Sequence, residues 1–438
     1  MSAVRVGIVG LGNVGSGTLR LLHGNAGQIA SKLGFPLEVS AVCSRGVLAG
    51  PPEAVSLHPA ASRTANWKEL VNSPDVDLVA ELVGGTGVAR KIVESAIDAG
   101  KPVITANKEL MAEHGATILA RARKRGAWVG LEASVAGGIP VLTALREGIA
   151  GDGIDTLIGI LNGTSNYILT EIERTGAAFE SVLREAQDLG YAEADPSADI
   201  DGYDARSKLA ILAALAFGVE VAPRQIPVEG IRRIRTIDFA YAGRLGHTIR
   251  LLATARQEPE GLRLAVRPSL VGVNTVLSGV IGSYNALWVH GQGGDTFYYG
   301  KGAGPAPTGV AVVSDLMAAA RDLKTSGSQS VPPFGHVSLK PHTPVPGGTE
   351  VHQFYLRFRV RDRPGILASL TAALANQGVS VEAVLQEPHF DREDLPFVTT
   401  LEPTTRHALD SALDAMRGSD FLVDEPLAMP LEPTLMTS

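Results

Sequence analysis

Cysteine is the scarcest residue of the chain. Cys43 is the only one among 438 residues, which excludes an intramolecular disulfide and any cysteine-built zinc site. The ten histidines are scattered without an HxxxH or HExxH spacing, so no catalytic transition metal is expected. Aromatics are few, at 5%, and no basic run or aromatic-studded stripe occurs. Lys plus Arg number 39 against 46 acids, a net charge of −7, which argues against a nucleic-acid surface. No uncharged apolar run is long enough to span a bilayer, and the N-terminus enters a strand without a charged-then-apolar leader. The expectation is a soluble, cytoplasmic protein with no nucleic-acid or membrane partner.

What is abundant is small and apolar. The 45% hydrophobic content and 49 glycines suit two or three tightly packed α/β domains. Strand-like "VRVGIVG", "LEVSAVCSR", "DVDLVAELVGG" and "PVITANK" alternate with helical stretches, a pattern that predicts a parallel sheet with right-handed crossovers over residues 1–140. Residues 141–325 read as mixed α+β, closed by the long helical stretch "PTGVAVVSDLMAAARDLK", which is expected to pack back on the first domain. Residues 326–349 are rich in Pro, Ser and Gly and read as a linker. Residues 350–430 begin as a small βαβ unit. The fold class is thus α/β, with a Rossmann-type N-terminal domain and a smaller C-terminal domain.

Gly10, Gly12 and Gly15, with Asn13 and Val14 between them, form GxGxxG directly after the first strand and at the mouth of a helix. The glycines permit a tight turn, close approach to a pyrophosphate and close helix–strand packing, while the helix N-terminus offers free N–H donors. The second strand ends on Cys43, Ser44 and Arg45 with no carboxylate for a ribose hydroxyl. A hydroxyl and an arginine suit a 2′-phosphate, so NADP is favoured over NAD, with dual use open. Arg45 also reads as an ordinary solvated charge.

"DIDGYDARSKLAIL", residues 199–212, reads as one helix start crowded by Asp199, Asp201, Asp204 and Lys208. Asp204 and Lys208 are four apart and share a face. By themselves they read as an exposed ion pair worth about 0.3–0.5 kcal/mol, with Asp199 as a cap.

Six blocks in order, "GLGNVGSG", "ITANKELMAEHG", "LEASVAGGIPV", "GILNGTSNYILTEI", "GYAEADPSADIDGYDARSKLAIL" and "GKGAGPAPTGVAVVSD", closely resemble homoserine dehydrogenase over residues 4–322. The resemblance implies NAD(P)-dependent interconversion of L-homoserine and L-aspartate 4-semialdehyde in threonine, methionine and isoleucine biosynthesis. It implies an acid/base role for Lys208 with Asp204, and a second lysine, Lys108, at cofactor and reacting oxygen. Glu193 and Asp199 become the acids for the substrate ammonium, and Gly302 a backbone contact of the cofactor. Asn162, Thr164 and Ser165 could serve the site; equally, Thr164 and Ser165 only cap the following helix. Glu132 with the carbonyls of Val135, Gly137 and Ile139 matches the family's Na⁺ or K⁺ loop, a glycine-rich turn that suits a hard cation; from the residues alone it is equally a plain strand-to-helix turn.

"VRDRPGILASLTAALANQGVSVEAVLQE" resembles an ACT domain, a ferredoxin-like βαββαβ unit. That resemblance implies an amino-acid effector, L-threonine, at the turn of Asp362, Pro364, Gly365 and Ile366; a purely oligomerising domain is the other reading. Glu402 and the inserted "PHFDRED" loop depart from the family pattern. A homodimer, or a tetramer through the C-terminal domains, is the implied assembly. The alternatives are another NADP oxidoreductase for a related small acid, and a non-catalytic amino-acid sensor.

Overall fold

The computed structural model describes residues 2–325, 331–345, 347–387 and 391–432. The expected linker therefore lies partly outside the described residues, as does the start of the "PHFDRED" loop.

Six short strands, β1 (Val4–Val9), β2 (Leu37–Cys43), β3 (Ser62–Thr64), β4 (Leu78–Glu81), β5 (Val103–Thr105) and β6 (Val129–Gly130), pair in parallel in the order β3-β2-β1-β4-β5-β6. β1 and β4 are mostly apolar and almost wholly buried, as both faces of a parallel sheet covered by helices must be. The strand order reverses between β1 and β4, the place where such sheets open a crevice. After β1 the chain forms two helices, Asn13–Gly24 and Ala26–Leu33, divided at Asn25.

The central unit carries β7 (Thr156–Ile160), the short β8 (Val219–Glu220), β9 (His247–Glu258), β10 (Gly261–Gly272), β11 (Tyr284–Gly291) and β12 (Gly294–Lys301). All but β8 form an antiparallel sheet in the order β10-β9-β7-β11-β12. Helices Gly163–Thr175 and Tyr203–Phe217 contribute Ile168, Leu169, Leu209 and Leu212 to its core. Helix Pro305–Thr325 returns to the parallel sheet, where Val312, Leu316, Ala319 and Ala320 join the cluster of Val6, Ile8 and Ile104. At its start a Cβ on Gly17 would sit 2.1 Å from the Pro305 carbonyl, so only glycine admits that approach.

The described part of the linker is packed rather than free. Phe334 is 4% exposed and joins the core, and β13 (Lys340–Pro341) pairs in parallel with β8. The described residues of this linker are thus held against the core and along β8.

The C-terminal unit is βαββαβ, with β14 (Val351–Val360), β15 (Val381–Gln386), β16 (Leu395–Thr405) and β17 (Leu427–Pro430) in the antiparallel order β15-β16-β14-β17. Strand alternation sorts β14. Phe354, Leu356 and Phe358 enter the unit's own core, whereas Tyr355 and Arg357 face the central unit and hold Asp238. The Tyr355 hydroxyl donates to that carboxylate at 2.8 Å, and Arg357 pairs with it. Among the described residues no helix is long and apolar enough to cross a membrane.

Candidate active site

The run 199–212 is not one helix. A short turn, Ser197–Ile200, ends before Gly202, whose φ of +82° belongs to the left-handed region that glycine tolerates. A Cβ there would also lie 2.9 Å from Val228. The main helix starts afresh at Tyr203. Asp199 therefore sits on its own turn, and Asp201 is drawn away to Arg232.

Asp204 Oδ2 accepts from Lys208 Nζ at 2.8 Å, and Oδ1 pairs with Lys108 Nζ at 2.9 Å. Asp204 is 6% and Lys208 8% exposed, so the solvated surface pair does not exist here. Lys108 opens helix Lys108–Arg125, capped by the Asn107 side chain, which accepts from the Leu110 N–H at 3.1 Å. Its own side chain is 38% exposed. Lys208 Nζ also donates to the Leu161 carbonyl at 2.6 Å, leaving one of its three protons uncommitted among the described residues.

Asn162, not Thr164 or Ser165, caps helix Gly163–Thr175 by accepting from the Ser165 N–H at 2.7 Å. Its amide donates to Asp199 at 2.7 Å and to Asp204 at 2.8 Å. Ser165 Oγ donates to the Asp199 carbonyl and Thr164 Oγ1 to that of Tyr191.

Burial pushes the Asp204 carboxyl up, but the two ammoniums outweigh it and hold the group well below the usual carboxylate range. Burial, helped by the Asp204 charge, raises Asp199. Asp204 in turn raises Lys108 against the opposing effect of burial. The result is an ionised aspartate between two cations, beside a carboxyl that gains from a neighbouring positive charge.

The glycine loop stands at the switch between β1 and β4. Gly10, at φ +104°, has no room for a Cβ, which would meet the Leu82 carbonyl at 2.4 Å, and a Cβ on Gly15 would meet the Gly10 carbonyl at 2.1 Å. Gly12 instead faces open space and caps helix Asn13–Gly24 without a side-chain hydrogen bond, so the N–H groups of Asn13, Val14 and Gly15 remain for a ligand. Arg45 follows β2, exposed, with no hydrogen-bond or ion-pair partner among the described residues. A cradle tight at two glycines and open at the third fits the diphosphate of a dinucleotide.

Two groups were missed in the sequence. Glu81, fully buried at the end of β4, accepts from the Val83 N–H at 2.7 Å and from Thr105 Oγ1 at 2.7 Å. Asn107 in turn donates to the Gly85 carbonyl at 2.6 Å, tying the crevice loop to the helix of Lys108. Burial raises the Glu81 carboxyl. Asn285 on β11, 1% exposed, donates to the Leu161 carbonyl at 2.8 Å and so fixes the oxygen that holds Lys208. The available signal was a polar residue inside an otherwise apolar strand.

Gly302 packs where a Cβ would strike Asn285 at 2.1 Å, and its carbonyl lies 2.4 Å from the Cβ position of Gly137. The Gly138 N–H donates to the Lys301 carbonyl at 3.1 Å. Thus the loop of Gly302 and the turn of residues 135–139 meet beside Asn285. In that turn Ala136 has φ +54° and Gly137 φ +48°, and the carbonyls of Val135 and Gly137 accept no hydrogen bond among the described residues. The Ile139 carbonyl accepts from Val141. Glu132 is committed elsewhere, its carboxylate accepting from the Leu142 and Thr143 N–H groups and from Thr143 Oγ1. Burial raises that carboxyl and pushes neighbouring Asp315 up to about 7. No cluster of three His, Cys, Asp or Glu suited to a metal occurs among the described residues.

Glu193 is not brought to this cluster by any contact. It lies exposed after Tyr191, its carbonyl accepting from Gln187 and its carboxylate without a partner among the described residues. In the C-terminal unit, Gly365, at φ +95°, caps helix Ile366–Ala375 with no side-chain hydrogen bond. Asp362 pairs with Arg392, Pro364 is exposed and Ile366 buried.

Three family models match the chain: "Homoserine dehydrogenase, NAD binding domain" over residues 10–132, "Homoserine dehydrogenase" over 140–317 and "ACT domain" over 354–418. The homoserine dehydrogenase of Neisseria gonorrhoeae is 40% identical over 432 residues, 98% of each chain. That of Bacillus subtilis is 37% identical over 93% of each. Among solved structures, a homoserine dehydrogenase from Thiobacillus denitrificans superposes with a TM-score of 0.90 at 39% identity, covering 98% of both chains. One from S. aureus gives 0.76 at 26% identity, covering 99% of this chain and 100% of that one.

Proposed function

The chain belongs to the homoserine dehydrogenase family, and from that premise we propose that it interconverts L-homoserine and L-aspartate 4-semialdehyde with NADP in preference to NAD. It is an oxidoreductase with an NAD-binding domain and an ACT domain. The observation that carries the mechanism is the buried Asp204 carboxylate shared by Lys108 and Lys208.

NADPH, when bound, supplies the hydride. The glycine loop and the N–H groups of Asn13, Val14 and Gly15 would hold the diphosphate, Arg45 would meet the 2′-phosphate, and Gly302 would give the cofactor a backbone contact. The Lys208 ammonium donates its uncommitted proton to the aldehyde oxygen as charge develops there, and retrieves it in the oxidative direction. Asp204 and the Leu161 carbonyl fix the direction of that ammonium. Lys108, the more open of the two amines, adds positive charge between cofactor and reacting oxygen. Asp199, whose carboxyl gains from a cation, takes the substrate ammonium, with Glu193 as the second acid for it. The bare carbonyls of Val135 and Gly137 take Na⁺ or K⁺.

The ACT domain supports regulation by an amino acid, which we take to be L-threonine at the turn of Asp362, Pro364, Gly365 and Ile366, and the family supports a place in threonine, methionine and isoleucine biosynthesis in the cytoplasm. A homodimer is supported by Val273, Val276, Ile281 and Tyr299, all exposed on the central unit. The test is steady-state activity with L-homoserine against NADP and NAD, repeated with L-threonine. Turnover of another small hydroxy acid in place of homoserine would overturn the substrate assignment.

A further inference from the structure

Two side-chain donors converge on the Leu161 carbonyl. Lys208 Nζ donates to it at 2.6 Å and Asn285 Nδ2 at 2.8 Å, so both lone pairs of one oxygen are in use. The antiparallel register explains the meeting. Ala286 of β11 stands opposite Ile160 of β7, and the next residues outward are Asn285 and Leu161. Leu161 in turn precedes Asn162, whose amide holds Asp199 and Asp204. Of the two acceptors that Lys208 has among the described residues, this carbonyl is the neutral one.

Asn285 stands in a slot lined by two glycines. A Cβ on Gly302 would lie 2.1 Å from its Cγ, and a Cβ on Gly163 would lie 3.5 Å from its Oδ1. The residue is 1% exposed, and Oδ1 has no hydrogen-bond partner among the described residues. Turning the amide over does not cure this, because Oδ1 would then face the Leu161 carbonyl, oxygen to oxygen. A buried acceptor without a donor costs stability, whereas a leucine of similar outline would leave no polar atom unpaired there. Stability alone therefore does not favour an amide at this position. What the amide supplies is the N–H on Leu161.

We propose that Asn285 is a positioning residue for the proton transfer, acting on Lys208 through the Leu161 carbonyl. Its N–H holds that carbonyl in one orientation. The carbonyl and Asp204 then take two protons of the ammonium, which aims the third in a single direction. Without the anchor the carbonyl turns with its peptide unit, and the ammonium follows it. This role rests on the reading of Lys208 as the proton donor.

The test is Asn285→Leu, alone and combined with Lys208→Ala. The single variant unfolds in urea at or above the wild-type midpoint, yet its kcat falls about ten- to hundredfold, as when a reacting group loses its direction. Its KM for homoserine and its NADPH affinity, read by fluorescence titration, stay near wild type. In the double variant the leucine changes the residual rate of Lys208→Ala by less than about twofold, because residues that act through one another are not additive. Asn285→Ala, which only empties the slot, carries the same rate cycle if the leucine strains against Gly302. A merely structural amide gives a lower unfolding midpoint with unchanged kcat of the folded enzyme, and that result overturns the proposal. A fully multiplicative loss in the double variant overturns it as well. Lys208→Ala as fast as wild type defeats the reading of Lys208 and this role with it, whereas a slow Lys208→Ala beside a fast Asn285→Leu defeats this role alone.

Discussion

Lys108 and Asp204 lie 2.9 Å apart although one begins a helix of the parallel-sheet unit and the other a helix of the antiparallel unit. This ion pair joins the two units, and Asp204 shares its other oxygen with Lys208. A single anion thus fixes two amines, one half open and one buried.

Lys208 is expected to carry proton transfer. Lys208→Ala should lower kcat by about 10²–10⁴, the usual contribution of a positioned acid or base, with NADPH affinity nearly unchanged because the hydrogen bonds of Lys208 go to Leu161 and Asp204 and none goes to the glycine loop. Stopped-flow hydride transfer together with fluorescence titration of NADPH checks this. Turnover equal to wild type removes Lys208 from the mechanism.

Asp204→Asn leaves two ammoniums without their carboxylate. Breaking a buried pair this way costs about 3–5 kcal/mol at neutral pH. The Asp204 carboxyl is depressed in the folded state, so its stabilisation is present above its unfolded value of about 3.9 and is lost as pH falls through the lower folded value. The gap in unfolding free energy between wild type and variant should therefore narrow in acid. Lys108, raised by Asp204, loses that support, and the alkaline limb of the pH–rate profile moves to lower pH. Urea unfolding at several pH values and a kcat/KM profile read the two effects, and a pH-independent gap would contradict the assignment.

Arg45→Ala should discriminate between cofactors. Loss of a charged contact to the 2′-phosphate weakens NADP by about 1.5–3 kcal/mol, roughly ten- to hundredfold, and leaves NAD nearly untouched. Comparing KM for NADP and NAD in the variant is sufficient. Equal losses on both would mean that Arg45 is only a surface charge.

Ala136 is a non-glycine residue at φ +54°, a conformation costing roughly 1–2 kcal/mol that persists where function exploits it. Together with the bare Val135 and Gly137 carbonyls it leads us to expect activation by a monovalent cation. Rates in KCl or NaCl should exceed those in choline chloride at equal ionic strength. Identical rates in all three would leave these residues a plain turn.

Legibility followed the range of the interactions. The GxGxxG loop and the Asp204–Lys208 spacing are local, so the strand, the helix and the shared face were readable from the chain. Lys108 had to be carried by resemblance, because its partner arrives only through tertiary packing. Glu81 and Asn285 were overlooked because a polar side chain inside a strand declares its purpose only when its partners, Thr105 and the Leu161 carbonyl, are in place. The break at Gly202 was hidden for a similar reason: what forbids a side chain there is Val228, distant in sequence. The packing of the proline-rich stretch before the C-terminal unit was hidden likewise, because Phe334 finds its partners only in the assembled core.

The described part of that stretch runs along the two helices that carry the lysines. Phe334 packs where a Cβ on Gly115 would lie 3.4 Å from its ring, His336 is bonded to the Leu215 carbonyl at 2.9 Å, and β13 extends β8 just beyond helix Tyr203–Phe217. Gly115 belongs to the helix of Lys108 and Leu215 to that of Lys208. Phe334→Ala should destabilise the protein by about 3–5 kcal/mol, the range for emptying a buried aromatic site. If the strap also aligns the helices, kcat falls in the variant under conditions where it remains folded, and the KM for NADP stays the same. Denaturant unfolding read beside steady-state rates separates the effects. A cost below about 1 kcal/mol, as for an exposed side chain, would show that the segment merely tethers the C-terminal unit.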